Sequence, residues 1–425
     1  MQGQKHVSTG RIGRSGVVGL AAARAGVYKV GHLTRRPFLS KERRAEADAK
    51  NDAEIARVLF EGLCILRGTA LKAAQLAATE IELVPESYRR ELAKAASEVP
   101  PMNRALVHKI VKSELGPPAS VFRRFEPFPF AAASLGQVHA ATAHDGRELA
   151  VKVQYPGMVD GVEADIDMVK TLLAATKYRR VFGCCWDEVS RRVKEELDYE
   201  LEAKHTTMFR ERCKVKGIVL PEVVPALSTK SILSTSRLDG LHLDAWLATG
   251  PSQSERDRYA QTLVDFFNDC TYDWGLVHAD PHPGNYLFGG GQLGVIDFGC
   301  VKRLSADFVS DLRELKTTDS RDLSRLASLH ERVGIHYCKK GDRAGFARFF
   351  RAWVSWLQKP YRHECFDFSA SNGYFVRGSK LAPALHHYID HYEGTSIYYG
   401  RAEHGLMRML ERLGARVRMR PTTPS

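Results

Sequence analysis

The chain has no acidic residue before Glu42, no C-x-x-C pair, no apolar run of membrane-spanning length, and no internal repeat or low-complexity segment. Each absence removes a class of protein. Its eight cysteines (Cys64, Cys184, Cys185, Cys213, Cys270, Cys300, Cys338 and Cys365) have no metal-ligand rhythm, so the spacing predicts isolated reduced thiols in a cytosol-like compartment rather than disulfides or structural zinc. The longest early apolar run, Val17 to Ala23, meets Arg24 at once. That is too short for a secretory core and far short of the roughly 20 residues that span a bilayer.

What is present suits an ordered globular protein. Of 425 residues, 44% are apolar and 26% charged, and such a length favours about two to three compact units over a single core. Lys and Arg outnumber Asp and Glu by 62 to 50. The excess gathers at the ends: Lys5, Arg11, Arg14, Arg24, Lys29, Arg35, Arg36 and Lys41 all precede the first acid, and Arg408, Arg412, Arg416, Arg418 and Arg420 close the chain. Such segments are drawn to anionic lipid or nucleic acid, although a solvated basic tail has the same composition. An Arg-rich, acid-free start also has the look of a mitochondrial transit peptide, but here it flows into a helical pattern without a cleavage-like break.

Helical periodicity from Asn51 to Thr79 (Ile55, Val58, Leu59, Leu63, Leu66) stops near Pro85, and helix-like pieces continue through Tyr88–Ala96 and Asn103–Leu115 until Gly116-Pro117-Pro118. Strand character follows over Phe130 to Thr142 and Arg147 to Gln154, around the Asp145-Gly146 turn signal. After Pro156-Gly157 a long helix is expected, with Val189, Val193, Leu197 and Leu201 on one stripe. Short strands are expected at Ile218–Val224 and Lys230–Ser236, and a tight turn at Gly289-Gly290-Gly291. From Ser305 onward the pattern reads mainly helical. The expected architecture is α+β and two-lobed, like a protein kinase: a helical extension over 1–118, a nucleotide-binding lobe over 119–240 and a mainly helical lobe over 241–425.

Four features occur in a telling order: Val151-Lys152-Val153 on a strand, an acidic helix, His278-Ala279-Asp280-Pro281-His282-Pro283-Gly284-Asn285, and Ile296-Asp297-Phe298-Gly299. Phosphoryl transfer needs a cation for the phosphates, a carboxylate near the nucleophile and oxygen ligands for Mg²⁺. By the kinase template Lys152 pairs the α/β-phosphates, Asp280 orients or deprotonates the acceptor, and Asn285 and Asp297 hold metal. A lone D-F-G or a lone strand lysine is more often structural; the ordered set is what points to a nucleotide site.

A rival reading takes His278, Asp280 and His282 as an H-x-D-x-H zinc or iron site. It makes Asn285 and the D-F-G coincidental, and His278 in such a loop is more often a scaffold residue. No G-x-G-x-x-G precedes Lys152; an alanine-rich loop, Pro129 to His139, stands there. Its β-carbons limit how closely backbone N–H groups wrap phosphates. Only Cys300 to Leu304 separate Gly299 from the N-cap signal at Ser305, which leaves no room for an activation loop or a protein-substrate platform.

On these residues, and on Pro129-Phe130-Ala131-Ala132-Ala133-Ser134-Leu135-Gly136-Gln137-Val138-His139 and Lys152-Val153-Gln154-Tyr155-Pro156-Gly157, the sequence resembles the UbiB (AarF or ADCK-type) atypical kinases from about Arg11 to its end. The resemblance implies that Ala131, Ala132, Ala133 and Ser134 form the nucleotide loop and that Glu202 pairs with Lys152. It implies that Lys72-Ala73-Ala74-Gln75 is the K-x-G-Q element of a lid helix, with Ala74 in place of glycine, and that Glu196-Leu197-Asp198 is the E-x-D motif. On one continuous helix Asp198 and Glu202 would share a face and Glu196 would point elsewhere.

Function follows from the resemblance as an expectation: binding and hydrolysis of ATP with Mg²⁺, in support of ubiquinone or related lipid synthesis. The implied partners are a lipid-like or phenolic quinone precursor, a peripheral membrane contact and a biosynthetic complex, with no nucleic acid. The implied location is cytoplasmic, peripheral on an inner membrane of bacterial type rather than mitochondrial. The alternatives are a small-molecule phosphotransferase, whose acceptor pocket is open, and a non-catalytic switch in which Mg-ATP opens the lid.

Overall fold

The structure is a computed structural model and describes residues 11–38, 40, scattered positions from 43 to 61, 101–133, 135–174, 186–338, 342–369 and 372–420. The chain divides into two compact units, one of residues 1–141 and 151–197, the other of 142–150 and 198–425.

The first unit opens with α1, Arg11–Arg35, which turns Ala21 and Ala25 inward. Of the helical pattern expected from Asn51, Ile55 and Val58 are described and buried. Lys72, Gln75 and the piece at Tyr88–Ala96 lie outside the described residues. Helix α2, Arg104–Glu114, starts where Asn103 Oδ1 accepts the Ala105 N–H at 2.8 Å, and it buries Val107 and Val111. The chain then reverses at Gly116, whose φ of 104° suits glycine.

Strands β1 (Arg124–Ala133), β2 (Gly136–Thr142) and β3 (Glu148–Gln154) are neighbours in that order. The expected single strand over Phe130 to Thr142 is corrected: Ala131 to Ala133 end β1, Leu135 sits in the turn, and Gly136 opens β2. Three alanines carry no turn signal, so locally only Gly136 marks the reversal. Ser134 lies outside the described residues. Buried polar groups fix this hairpin: Gln137 Oε1 accepts the Met102 N–H at 2.8 Å, Gln137 Nε2 donates to His139 Nε2 at 2.7 Å, and His139 Nδ1 donates to Glu126 O at 2.8 Å. Burial pushes the His139 imidazole below its ordinary value, which suits this neutral role.

Helix α3, Met158–Ala174, buries Val162, Ile166 and Val169 at helical spacing. The next helix is a second correction. Instead of running on, α4 (Trp186–Glu196) stops, and α5 (Tyr199–Arg212) begins with Asp198 as its N-cap, Oδ1 accepting the Leu201 N–H at 3.0 Å. Two side chains hold the break open: Asp198 takes an orphan donor of α5, while Gln154 Nε2 donates to Leu197 O at 2.9 Å. The burial phase shifts accordingly. Val193 and Leu197 are buried, but past the break Tyr199 and Glu202 turn inward and Leu201 is only half-buried.

In the second unit the Asp145-Gly146 turn forms as expected, with Gly146 at φ 89° and the Ala143 N–H on Arg147 O at 2.9 Å. Strand β4 covers only Ile218–Val219; residues 222–224 instead run beside β5 (Ile232–Ser236), joined by the Val224 N–H to Ser234 O at 2.9 Å. Short helix α6 (Leu243–Leu247) leads to α7 (Gln253–Asn268), which starts with a Ser252–Glu255 capping box. Strand β6 (Leu276–His278) is followed by β7 (Tyr286–Gly289) and β8 (Gln292–Val295), and the last two close over Gly290-Gly291 at φ 55° and 75°, a hairpin turn only glycine enters freely. Strand β9 (Val301–Arg303) pairs antiparallel with β6, and β4 runs parallel to β8.

Ser305 caps α8 (Ala306–Thr317) as expected, its Oγ accepting the Phe308 N–H at 3.2 Å. Helices α9 (Leu323–Arg332), α10 (Arg343–Arg362), α11 (Tyr374–Tyr388) and α12 (Gly394–Leu413) follow. The mainly helical reading missed two small sheets among them: β10 (Ile335–Tyr337) with β12 (Ile389–Tyr392), and β11 (Phe366–Asp367) with β13 (Arg416–Val417). Strands of two to four residues pairing across some 50 positions leave no local pattern. Tyr259, Leu263 and Val264 of α7 and Leu406 and Leu410 of α12 share one core with Phe288, Leu293 and Phe298, so the helices form the floor under the loops that follow β6 and β8. Among the described residues, Cys213, Cys270, Cys300, Cys338 and Cys365 are free thiols.

Candidate active site

The second unit brings Glu202, Asp280, Asn285 and Asp297 into one neighbourhood, and the β7–β8 hairpin is the device. Tyr286 faces Val295 across the ladder, and one step further the Ile296 N–H donates to Asn285 O at 3.0 Å. Asn285 thus stands opposite Ile296, the residue before Asp297, so both motifs leave the hairpin from the same end although 12 positions separate Asn285 from Asp297.

Asp280 is held from two directions. Asn285 Nδ2 donates to its Oδ2 at 2.9 Å and to its backbone oxygen at 3.1 Å. Arg401 Nη2 donates to Oδ1 at 2.7 Å, with both side chains more than four-fifths buried. A charge-assisted bond in such a place orients its carboxylate strongly. Burial, and then the Asp280 charge, push the neighbouring Tyr286 phenol well up.

Arg401 was not predicted from the sequence, and no motif surrounds it. It belongs to α12, which meets the Asp280 loop twice: four residues on, a β-carbon at Gly405 would lie 2.0 Å from Pro281 Cγ. Only glycine lets the helix come this close. A glycine in mid-helix was the one local hint, because it disfavours helix without evident reason. Between the two contacts Glu403 points into the core, where it accepts from Tyr399 at 2.9 Å and from Lys316 and Tyr361, and this anchors the helix.

The D-F-G segment is packed as tightly. Asp297 Oδ1 accepts the Gly299 N–H at 3.0 Å, and Phe298 is fully buried against Phe209 of α5, ring centroids 4.8 Å apart. A β-carbon on Gly299 would lie 3.3 Å from Asp297 Oδ1 and 3.6 Å from Glu202 Oε2, so the glycine leaves the buried Glu202 carboxylate facing this turn.

The H-x-D-x-H reading fails. His278 Nε2 donates to Asp297 O at 2.6 Å, and its edge packs against Phe298; His282 Nδ1 accepts the Gly284 N–H at 3.0 Å. Both rings do scaffold work, and among the described residues no group of three or more His, Cys, Asp and Glu is placed to hold a metal. The chemistry of the donors fits Mg²⁺ instead. Asn285 spends its amide N–H groups on Asp280, which leaves its carbonyl oxygen, and Asp297 brings a carboxylate; both offer hard oxygen ligands.

The remaining expected residues belong to the first unit or to its border. Lys152 is half-buried in β3, on the strand face opposite buried Val151 and Val153. Ala131, Ala132 and Ala133 end β1. The E-x-D motif is split by the helix break: Glu196 closes α4, paired 3.3 Å from buried Arg192, whereas Asp198 caps α5. They do not lie on one helix. Ser134, Lys72 and Gln75 fall outside the described residues.

Residues 94–329 match the family described as the ABC1 atypical kinase-like domain, more than half of the chain. The chain belongs to that family. Its α+β fold is kinase-like, and the resemblance to the UbiB atypical kinases holds. It is similar to the atypical kinase coq-8, mitochondrial, of Caenorhabditis elegans, 30% identical over 350 residues that cover 78% of this chain and 46% of that one. A second relative is the AarF domain-containing protein kinase 1 of Mus musculus, 29% identical over 75% of this chain and 63% of the mouse protein. The chain thus spans under two thirds of the length of these curated relatives. Among solved structures, Rv3197 of Mycobacterium tuberculosis, described in complex with erythromycin, superposes with a TM-score of 0.60 at 25% identity, covering 88% of this chain and 96% of that one. Among the described residues no helix is long and apolar enough to cross a membrane.

Proposed function

We infer that the chain is a Mg²⁺-dependent ATPase of kinase fold, acting at a membrane surface in support of ubiquinone or related lipid synthesis. The observation that carries this reading is Asp280 fixed between Arg401 and Asn285, with Asp297 leaving the same end of the hairpin as Asn285. In this reading Asn285 and Asp297 hold the metal, which when bound neutralises charge on the nucleotide phosphates. Asp280 orients the attacking oxygen, and Arg401 keeps the carboxylate from turning away. Lys152 supplies the cation for the α/β-phosphates, the role the family resemblance gives it. The five positions between Gly299 and Ser305 include β9 and offer no platform for a protein acceptor, which favours water or a small acceptor.

The test is ATP turnover by the purified chain with and without Mg²⁺, anionic vesicles and a phenolic mimic of a quinone precursor, beside an Asp297→Asn control. Turnover that needs Mg²⁺, rises with vesicles and is lost in the control supports the reading; Mg-ATP binding without turnover favours a nucleotide-gated switch. A small-molecule phosphotransferase draws support from the M. tuberculosis relative described with erythromycin. Detection of a phosphorylated small molecule would promote that second reading.

A further inference from the structure

We propose that the outer face of α1 lies in the interface of an anionic phospholipid membrane; this rests on the membrane-side reading above and gives it a surface. Helix α1 (Arg11–Arg35) uses Ala21 and Ala25 against its own unit. On the opposite side Leu20, Ala23, Val27 and Val30 recur three and four residues apart, all exposed, with Leu20 at 65%, Val27 at 73% and Val30 at 62% exposure. Leu33 extends the face at 56% exposure, and Phe38 stands free at 89% just beyond the helix. A run of large apolar side chains on one side of one helix is not the scattered apolar surface of an ordinary monomer.

Charge chooses the occupant. By helical register Lys29 borders the apolar face on one side and Arg24 and Arg35 border it on the other, and α1 contains no acidic residue. Arg24 also lies 3.7 Å from Glu61, within reach of solvent. An apolar stripe between basic margins is the pattern of a helix lying in the headgroup layer, where the long cationic side chains reach up to the phosphates. A second copy of the same face would set like-charged margins against each other. Gly16, Gly19 and Gly26 lie toward this side too, and a β-carbon on any of them would meet nothing within 4 Å, so packing inside the chain does not call for glycine there. The helix is also too polar to span the bilayer.

The experiment uses the whole chain and sedimentation with vesicles of equal parts phosphatidylcholine and phosphatidylglycerol, beside pure phosphatidylcholine. Wild type is expected to sediment with the anionic vesicles and to be released by salt. Val27→Asp with Leu33→Asp, or Lys29→Glu with Arg35→Glu, should weaken binding roughly tenfold or more. A Val27→Trp variant should shift its emission to the blue on adding anionic vesicles, a gain of signal that a misfolded protein does not give. Equal sedimentation of the variants and wild type, or no blue shift, overturns the proposal. Self-association of wild type that the same variants abolish, without vesicle binding, also overturns it and assigns the face to a second copy. Lipid-free ATP turnover should be unchanged in these variants, so its absence in wild type speaks against the ATPase reading and leaves the vesicle result to decide this one.

Discussion

Arg401 Nη2 lies 2.7 Å from Asp280 Oδ1, an ion pair that joins the last helix to the Asp280 loop across 121 residues of sequence. Removing the arginine leaves Asp280 mostly buried with Asn285 on one oxygen. Arg401→Ala should lower ATP turnover by roughly one to two orders of magnitude, the scale of a misplaced catalytic group. Mg-ATP affinity measured by calorimetry should stay near wild type, because Arg401 acts through the Asp280 carboxylate and the metal is assigned to Asn285 and Asp297. Arg401→Lys should recover part of the turnover. Equal loss of binding and turnover in both variants would mean that the pair only supports the fold.

Two glycines inside α12, Gly405 and Gly400, should respond with opposite signs. Gly405→Ala places a methyl 2.0 Å from Pro281, and the expected overpacking of about 1–3 kcal/mol exceeds the gain in helix propensity of about 1 kcal/mol. Turnover should fall with stability, since Pro281 follows Asp280 directly. At Gly400 a β-carbon meets nothing within 4 Å, so Gly400→Ala should stabilise by up to about 1 kcal/mol. Urea melts of the two variants provide the comparison.

Asp198 should behave first as a cap. Asp198→Ala is expected to cost about 1 kcal/mol in a urea melt, whereas Asp198→Asn, which keeps an oxygen for the Leu201 N–H, should cost a few tenths at most. A loss of turnover in Asp198→Asn at unchanged stability would reveal a second role for the charge.

His330 makes stability fall with acid. Burial, and then the Lys316 charge, depress it from 6.5 to about 3, while the buried ring accepts from Tyr337 at 2.6 Å. At neutral pH both states are unprotonated and nothing is lost. As pH drops below the unfolded value the unfolded chain binds a proton that the folded chain refuses, so stability declines by up to about 1.4 kcal/mol per pH unit until about pH 3. His139, also lowered by burial, acts in the same direction. Denaturant melts at several pH values should show a slope about one proton shallower in His330→Gln.

What the sequence revealed and what it hid follow from distance along the chain. Asp280 with Asn285, and Asp297 with Gly299, are local sets, so their spacing could be matched to a template before any folding was known. The glycine turn of the β7–β8 hairpin was local as well, and it is what brings those sets together. Arg401 was hidden because Asp280, the partner that matters, is 121 residues away. The break at Leu197 was hidden for a different reason: Val193 and Leu197 keep a perfect apolar period up to it, and the interruption depends on Gln154 reaching across from a strand. The β1–β2 reversal follows three alanines and is marked locally only by Gly136.

The short passage from Asp297 to Ser305 has a kinetic meaning. The Ala279 N–H is bound to Cys300 O at 2.9 Å, Val277 pairs with Lys302, and the Leu304 N–H is bound to Gly275 O at 2.8 Å, so the segment after the D-F-G is one ladder with the strand that delivers Asp280. A kinase whose corresponding segment swings between arrangements keeps part of its population unable to bind, and its apparent affinity is reduced by that fraction. Here the ladder ties the segment after the D-F-G to that strand, so the two are positioned together on folding. In the ATPase reading, control of turnover then falls on access to the site rather than on the segment after the D-F-G.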